Sequence, residues 1–238
     1  MLLLALDTCD SLGSVALLRD SAVLHIVAHE TAEDYSSWLL PTVRDILQFT
    51  GVSMEQVEAY AVASGPGSFT GLRVGLTTVK AWSEVYGRPI AAVSRLEALA
   101  SQAEEGAGAV AVFANAHREQ IFGALYRRKE RQWERVEDEM VIAPAKFVEW
   151  VSERAGAERV GWVSPDPEHI TQQENWTERQ RRGERVQVVS PVLAPVIGRI
   201  GYERVLENRL ADAVTLDANY VRRSDAELLW MGVSGRGR

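Results

Sequence analysis

The sequence predicts an α/β fold made of two β-then-α halves of roughly 100 residues each. Three observations carry that prediction. The chain opens with three short apolar runs separated by turn-formers, then alternates helix and strand patterns. A linker-like stretch, EEGAG (104–108), follows, and a second set of strand-like runs begins after it. The composition, 46% hydrophobic and 25% charged over 238 residues, suits a soluble globular chain with a sizeable core.

In chain order, LLLALDT (2–8), GSVALLRD (13–20) and AVLHIVAHE (22–30) read as an antiparallel meander. DYSSWLLPTVRDILQFTG (34–51) places Trp38, Leu39, Val43, Ile46 and Leu47 at helical spacing and stops at Gly51, with Pro41 in its first turns. Ser53 and Gln56 have the spacing of a capping box. EAYAVAS (58–64) is the next strand, Thr70 to Tyr86 a helix ended by Gly87, and PIAAV (89–93) a strand. Ser94 then caps a helix to about Ala103. In the second half, AVAVFAN (109–115), EQIFGALYRR (119–128) and RQWERVEDEMV (131–141) read as strands. PAKFVEWVSER (144–154) reads as helix, RVGWV (159–163) as strand, 165–185 as polar and helical, and VQVVS (186–190) as strand. PVLAPVIGRIGYERVLEN (191–208) reads as a helix with Ser190 as N-cap and Pro191 at its first position. The expected domains are 1–103, joined by the 191–208 helix, then 104–190, with 209–238 a C-terminal segment showing no clear element.

Net charge is −7, so any nucleic-acid contact must be local or made by a partner; the basic-leaning stretch ERQRRGER (178–185) keeps a local contact open. Cys9 alone cannot form an internal disulfide and fits a reducing compartment. MLLLALDT lacks a basic flank and is interrupted by Asp7, so it is neither a secretion signal nor a membrane span. These features read as a cytoplasmic protein.

The densest glycine cluster, SGPGSFTGLRVG (64–75), lies between strand and helix, where phosphates often bind. No Lys-Ser or Lys-Thr follows Gly71, and the glycine spacing is wrong for a dinucleotide fingerprint. The helix it opens has two apolar sides. With Leu72 at 0°, Gly75, Leu76, Val79, Trp82 and Tyr86 fall within about 80° of it, while Val74, Thr78, Ala81 and Val85 fall near 180–240°. Such an arc is wider than one sheet needs, so the helix is either wrapped on two sides by its own chain or meets a partner. Gly71 and Gly75 share a face and would let another helix approach closely.

Asp7-Thr8, at the end of the first strand and before a tight turn, resembles the first phosphate loop of the actin, hexokinase and Hsp70 class, but one Asp at a strand end more often makes an Asx-turn. His25 and His29 alternate as in a strand, which does not suit a shared metal. His117, in NAHRE, sits in a polar turn; Glu137-Asp138-Glu139 reads as a solvated face; Trp133, Trp150 and Trp162 read as packing residues. Ser68 is not in a nucleophile elbow.

LALDTCDSLGSVALL, SSWLLPTV, AVASGPGSFTGLRVGLTTVKA and GRPIAAVSRLEALA resemble the TsaB (YeaZ) family throughout the first 100 residues. NAHREQIFGALY and ANYVRR (218–223) carry the resemblance further on. It implies a duplicated fold of the actin, hexokinase and Hsp70 class, two subdomains each with a mixed sheet and flanking helices. It implies a bacterial scaffold subunit needed to make threonylcarbamoyladenosine beside the tRNA anticodon, paired with the catalytic TsaD and with the ATPase TsaE, and able to pair with itself. tRNA would be met only through the complex. Catalytic relatives carry a His-x-x-x-His metal motif; laid on this chain, it falls at Arg95 and Leu99, which cannot replace imidazole ligands. The second phosphate loop of the class is glycine-rich, and this chain has no Gly-Gly pair. No metal and no cofactor of its own are therefore expected, with Asp7 and Thr8 a vestigial phosphate loop; ATP or ADP at the junction with TsaD stays open. The expected partner face comprises Trp38, Leu72, Gly75, Leu76, Val79, Trp82, Ser83 and Tyr86. The alternative is an independent ATP-dependent phosphotransferase or ATPase using Asp7.

Overall fold

The computed structural model describes residues 1–30, 33–104, 106–130, 132–156 and 158–221. Strands β1 (Leu2–Asp7), β2 (Ser14–Arg19) and β3 (Ala22–Ala28) form the expected meander. Helix α1 (Tyr35–Thr50), β4 (Ala59–Ala63), α2 (Phe69–Tyr86), β5 (Ile90–Val93) and α3 (Arg95–Ala100) complete the first half. Gly51 and Gly87 end α1 and α2 in left-handed conformation. The Ser53–Gln56 capping box is present, and Ser94 caps α3 through the N–H groups of Leu96 and Glu97.

The second half contains β6 (Ala109–Asn115), β7 (Ile121–Lys129), β8 (Gln132–Arg135), β9 (Met140–Ile142), α4 (Pro144–Ala155), β10 (Val160–Ser164), α5 (Glu168–Thr171), α6 (Trp176–Arg181) and β11 (Val186–Val188). Helix α7 (Ala194–Leu206) closes the described order of elements. The first sheet runs β3-β2-β1-β4-β5 and the second β8-β7-β6-β10-β11. Each pairs its meander antiparallel and its crossover strands parallel. This repetition is the duplicated α/β fold of the actin and hexokinase class.

Two expectations are corrected. Where 131–141 reads as one strand, the structure has two, β8 and β9, because β8 pairs with 126–129 of β7 and β9 with 121–123, and the residues between them leave that edge. The last helix starts three residues late. Ser190 Oγ is used locally by the Val192 N–H, and the Ala194 N–H donates to Ser14 Oγ of β2 (3.0 Å). The α7 cap thus comes from 180 residues earlier in the chain.

Three apolar layers stack across the molecule. One, with Leu4, Leu6, Tyr60 and Val62, lies between the first sheet and α1 and α2. Another, with Phe113, Phe147 and Trp162, lies between the second sheet and α4 to α6. The central layer joins both sheets around α3 and α7, through Leu3, Ala61, Leu99, Val112 and Ile197. Gly198 and Gly201 let α7 sit directly on Leu18 and Ala61 of the first sheet. Among the described residues no helix is long and apolar enough to cross a membrane.

Candidate functional site

The loop after β1 and the β6–β7 turn face each other across a cleft of about 400 Å³, flanked by the N-terminus of α2 and by Tyr220. Asp7 lies beneath it, 0% exposed. Its Oδ1 accepts the Cys9 N–H (2.9 Å) and its Oδ2 faces Arg95 Nε at 3.7 Å. Arg95, itself buried, donates from Nη2 to Asp10 Oδ2 (2.7 Å). Burial pushes the Asp7 carboxyl up, opposed by the Arg95 charge and the Cys9 N–H. For Asp10 burial acts the same way, but Arg95 and the Ser11 N–H outweigh it and hold the carboxyl below its ordinary value. Burial, then the neighbouring Asp7, raises the Cys9 thiol well above its usual range.

This arrangement does not fit a metal–nucleotide site on Asp7. The carboxylate has no exposed surface, and a guanidinium already supplies its positive charge. Thr8 Oγ1 donates inward to the Gly71 carbonyl (2.7 Å). Opposite, in the β6–β7 turn, His117, Arg118 and Glu119 stand in succession at φ 57°, 54° and 59°. Left-handed backbone costs roughly 1–2 kcal/mol for each such side chain.

The glycine cluster is explained by packing. An added Cβ at Gly67 would run into the Cys9 carbonyl, at Gly71 into the Thr8 carbonyl, and at Gly75 into Thr8 Oγ1. The side of α2 expected to admit a second helix instead receives the chain's own Thr8–Cys9 loop. This corrects the expected partner face. Leu72 (1%), Leu76 (5%), Val79 (0%) and Trp38 (7%) are core residues, and Gly75 is buried against Thr8. Trp82, Ser83 and Tyr86 are half-buried. The other apolar side of α2 is covered at one end and open at the other: Val74 packs at the edge of the core and Thr78 is half-buried, while Ala81 is exposed and Val85 is 73% exposed. On neighbouring α1, Leu40 is 55% exposed.

A family model described as "TsaD: tRNA N6-adenosine threonylcarbamoyltransferase" matches residues 25–169. The tRNA threonylcarbamoyladenosine biosynthesis protein TsaB of Escherichia coli is 34% identical over 167 residues, 69% of this chain and 70% of that one. The chain belongs to the TsaB family. The protein of the same name from Haemophilus influenzae is 28% identical over 246 residues, covering 98% of each. The solved structure titled "YeaZ from Pseudomonas aeruginosa" superposes with a TM-score of 0.69 at 26% identity, over 92% of this chain and 99% of that one. Component A of the Acidaminococcus fermentans (R)-2-hydroxyglutaryl-CoA dehydratase shares the fold at 9% identity and a TM-score of 0.51, over 87% and 99% of the two chains. Within the TsaB family resemblance, ANYVRR is described only as far as Val221.

Glu139, expected on a solvated face, is buried. Its Oε1 accepts Ser94 Oγ and Tyr126 OH, and its Oε2 accepts Asn219 Nδ2. Arg135 Nη1 is 3.6 Å away. Burial raises its carboxyl, against the pull of Ser94, Arg135, Tyr126 and Asn219. Its partners lie 45, 13 and 80 residues distant, so no local pattern signals them.

His29 places its two ring nitrogens on the Ser11 and Glu33 carbonyls, and His25 packs its ring at a tilt against Phe49. In the basic-leaning stretch, Arg179 pairs with Glu184 (2.8 Å) under the Trp162 ring, and Arg182 pairs with Glu178 (2.5 Å). Among the described residues no group of three His, Cys, Asp or Glu is placed to hold a metal ion.

Proposed function

We propose that this chain is a noncatalytic scaffold subunit of the machinery that makes threonylcarbamoyladenosine beside the tRNA anticodon, working in the cytoplasm. It pairs with TsaD through the outer sides of α1 and α2, the pair recruits TsaE, and tRNA is met through the complex. The observation that carries this reading is the outer side of α2, where Ala81 and Val85 are exposed beside the half-buried Val74 and Thr78. Trp82, Ser83 and Tyr86, on the inner side, are half-buried. The guanidinium on Asp7 and the names of the full-length relatives support the same reading. Without TsaD, the outer side of α2 would pair two copies of this chain.

The test is co-elution with TsaD of an Ala81→Glu/Val85→Glu variant. Both positions are exposed, so the variant should fold and melt as the parent does while losing the TsaD-containing peak. A folded variant that still co-elutes would overturn the proposal.

A further inference from the structure

Residues 209–221 cross the open side of the cleft and the flank of α2, and none of them is fully buried. Polar ties hold the segment. The Ala211 N–H donates to the Ile90 carbonyl (2.8 Å) at the edge of the first sheet. Lys80 Nζ donates to the Leu216 carbonyl (2.9 Å) and Arg73 Nε to Tyr220 OH (3.0 Å). The Asn219 N–H donates to the Ser64 carbonyl (2.8 Å), and its side chain reaches the buried Glu139 carboxyl. That last tie differs in kind from the others. It joins the segment to the second half of the molecule and, through Ser94 Oγ, to the cap of α3. Asn219 also lines both the cleft and a groove of about 560 Å³ on the other side.

We propose that residues 209–221 form a strap latched by Asn219 on Glu139, which opens as a unit ahead of global unfolding and, when open, joins the cleft to the groove behind it. The segment's apolar side chains, Ala211, Ala213, Leu216 and Ala218, only rest half-buried at the edge of the cores, so it loses less apolar area on opening than the sheets do and its opening free energy lies below theirs. The latch supplies most of the barrier, because a hydrogen bond to a buried carboxylate is the strongest single tie available to it. Opening also uncovers Cys9, which lines the cleft together with Asn219 and Tyr220 and is the chain's single cysteine.

The experiment compares the full chain with Asn219→Ala and Glu139→Gln, by amide hydrogen exchange and by the labelling rate of Cys9 with an aromatic disulfide reagent. Both variants should exchange the Ala211 and Asn219 amides about tenfold faster or more, and label Cys9 faster by a similar factor. The amides of β1 and β4 should keep their protection. Lys80→Ala, which cuts a tie remote from Glu139, should speed exchange in the strap to a smaller extent. Unchanged strap exchange, unchanged Cys9 labelling, or a uniform rise through β1 and β4 as well would each overturn the proposal.

Discussion

Replacing Arg95 with Ala tests whether a guanidinium is the counter-ion of this cleft. The substitution leaves Asp7 fully buried with only the Cys9 N–H on its carboxylate, and leaves Asp10, partly open to solvent, without its ion pair. Removing one partner of a buried pair costs about 3–5 kcal/mol. Arg95 lines the cleft, so water can follow the vacated space and the cost should sit near the lower end. For a chain of this length that corresponds to a fall in Tm of roughly 6–20 °C. The loss should depend on pH. Burial already raises the Asp7 carboxyl despite Arg95, and deleting Arg95 raises it further. In the unfolded chain it titrates near its ordinary value, about 3.9. The folded variant therefore keeps a proton that the unfolded chain releases, and stability falls as pH rises through the folded-state pKa. Thermal melts should show a smaller deficit at pH 5 than at pH 8, and Asp7→Asn combined with Arg95→Leu should recover much of it. A Tm within about 2 °C of the parent at pH 8, or an equal deficit at both pH values, would refute the reasoning.

Gly71→Ala sets two effects against each other. Alanine gains about 1 kcal/mol of helix propensity, but its methyl meets the Thr8 carbonyl, a backbone atom, and overpacking costs about 1–3 kcal/mol or more. The urea midpoint should fall, and a rise would end the packing account of the glycine cluster. Ser14→Ala should cost about 1 kcal/mol by uncapping α7, seen in the same titration, and a neutral result would remove the remote cap. Calorimetry of the isolated chain with ATP and magnesium should show no binding; tight binding lost in Asp7→Ala would favour the independent enzyme.

The strands and helices of the first half were readable because each carries its own period and its own stop signal, as Gly51 and Gly87 show. What stayed hidden depends on atoms far away in the chain. Glu139 has the neighbours of a surface residue and the partners of a core one. The start of α7 was misplaced because Ser190 offers a plausible cap while Ser14 provides the real one. The two apolar sides of α2 were visible, but the residues named for a partner lay on the inner side. The glycines could have settled this: Gly71 and Gly75 belong to the Leu72 side, and close backbone approach is a mark of the packed face. In the sequence Arg95 stands only where a ligand is missing; that it neutralises Asp7 emerges when α3 is set beside β1.

Helix α7 has a bearing on how the protein is made. The sheet it covers is encoded by the first 93 residues, yet its cover ends at Leu206. At roughly 5–20 residues per second, a ribosome needs several seconds to supply that helix after the sheet has emerged. Throughout that interval the nascent chain carries one oily sheet face, around Ala5, Leu18 and Ala61, with nothing to shield it. A fragment ending near residue 103 would retain that face permanently, and clumping or chaperone capture is its expected fate.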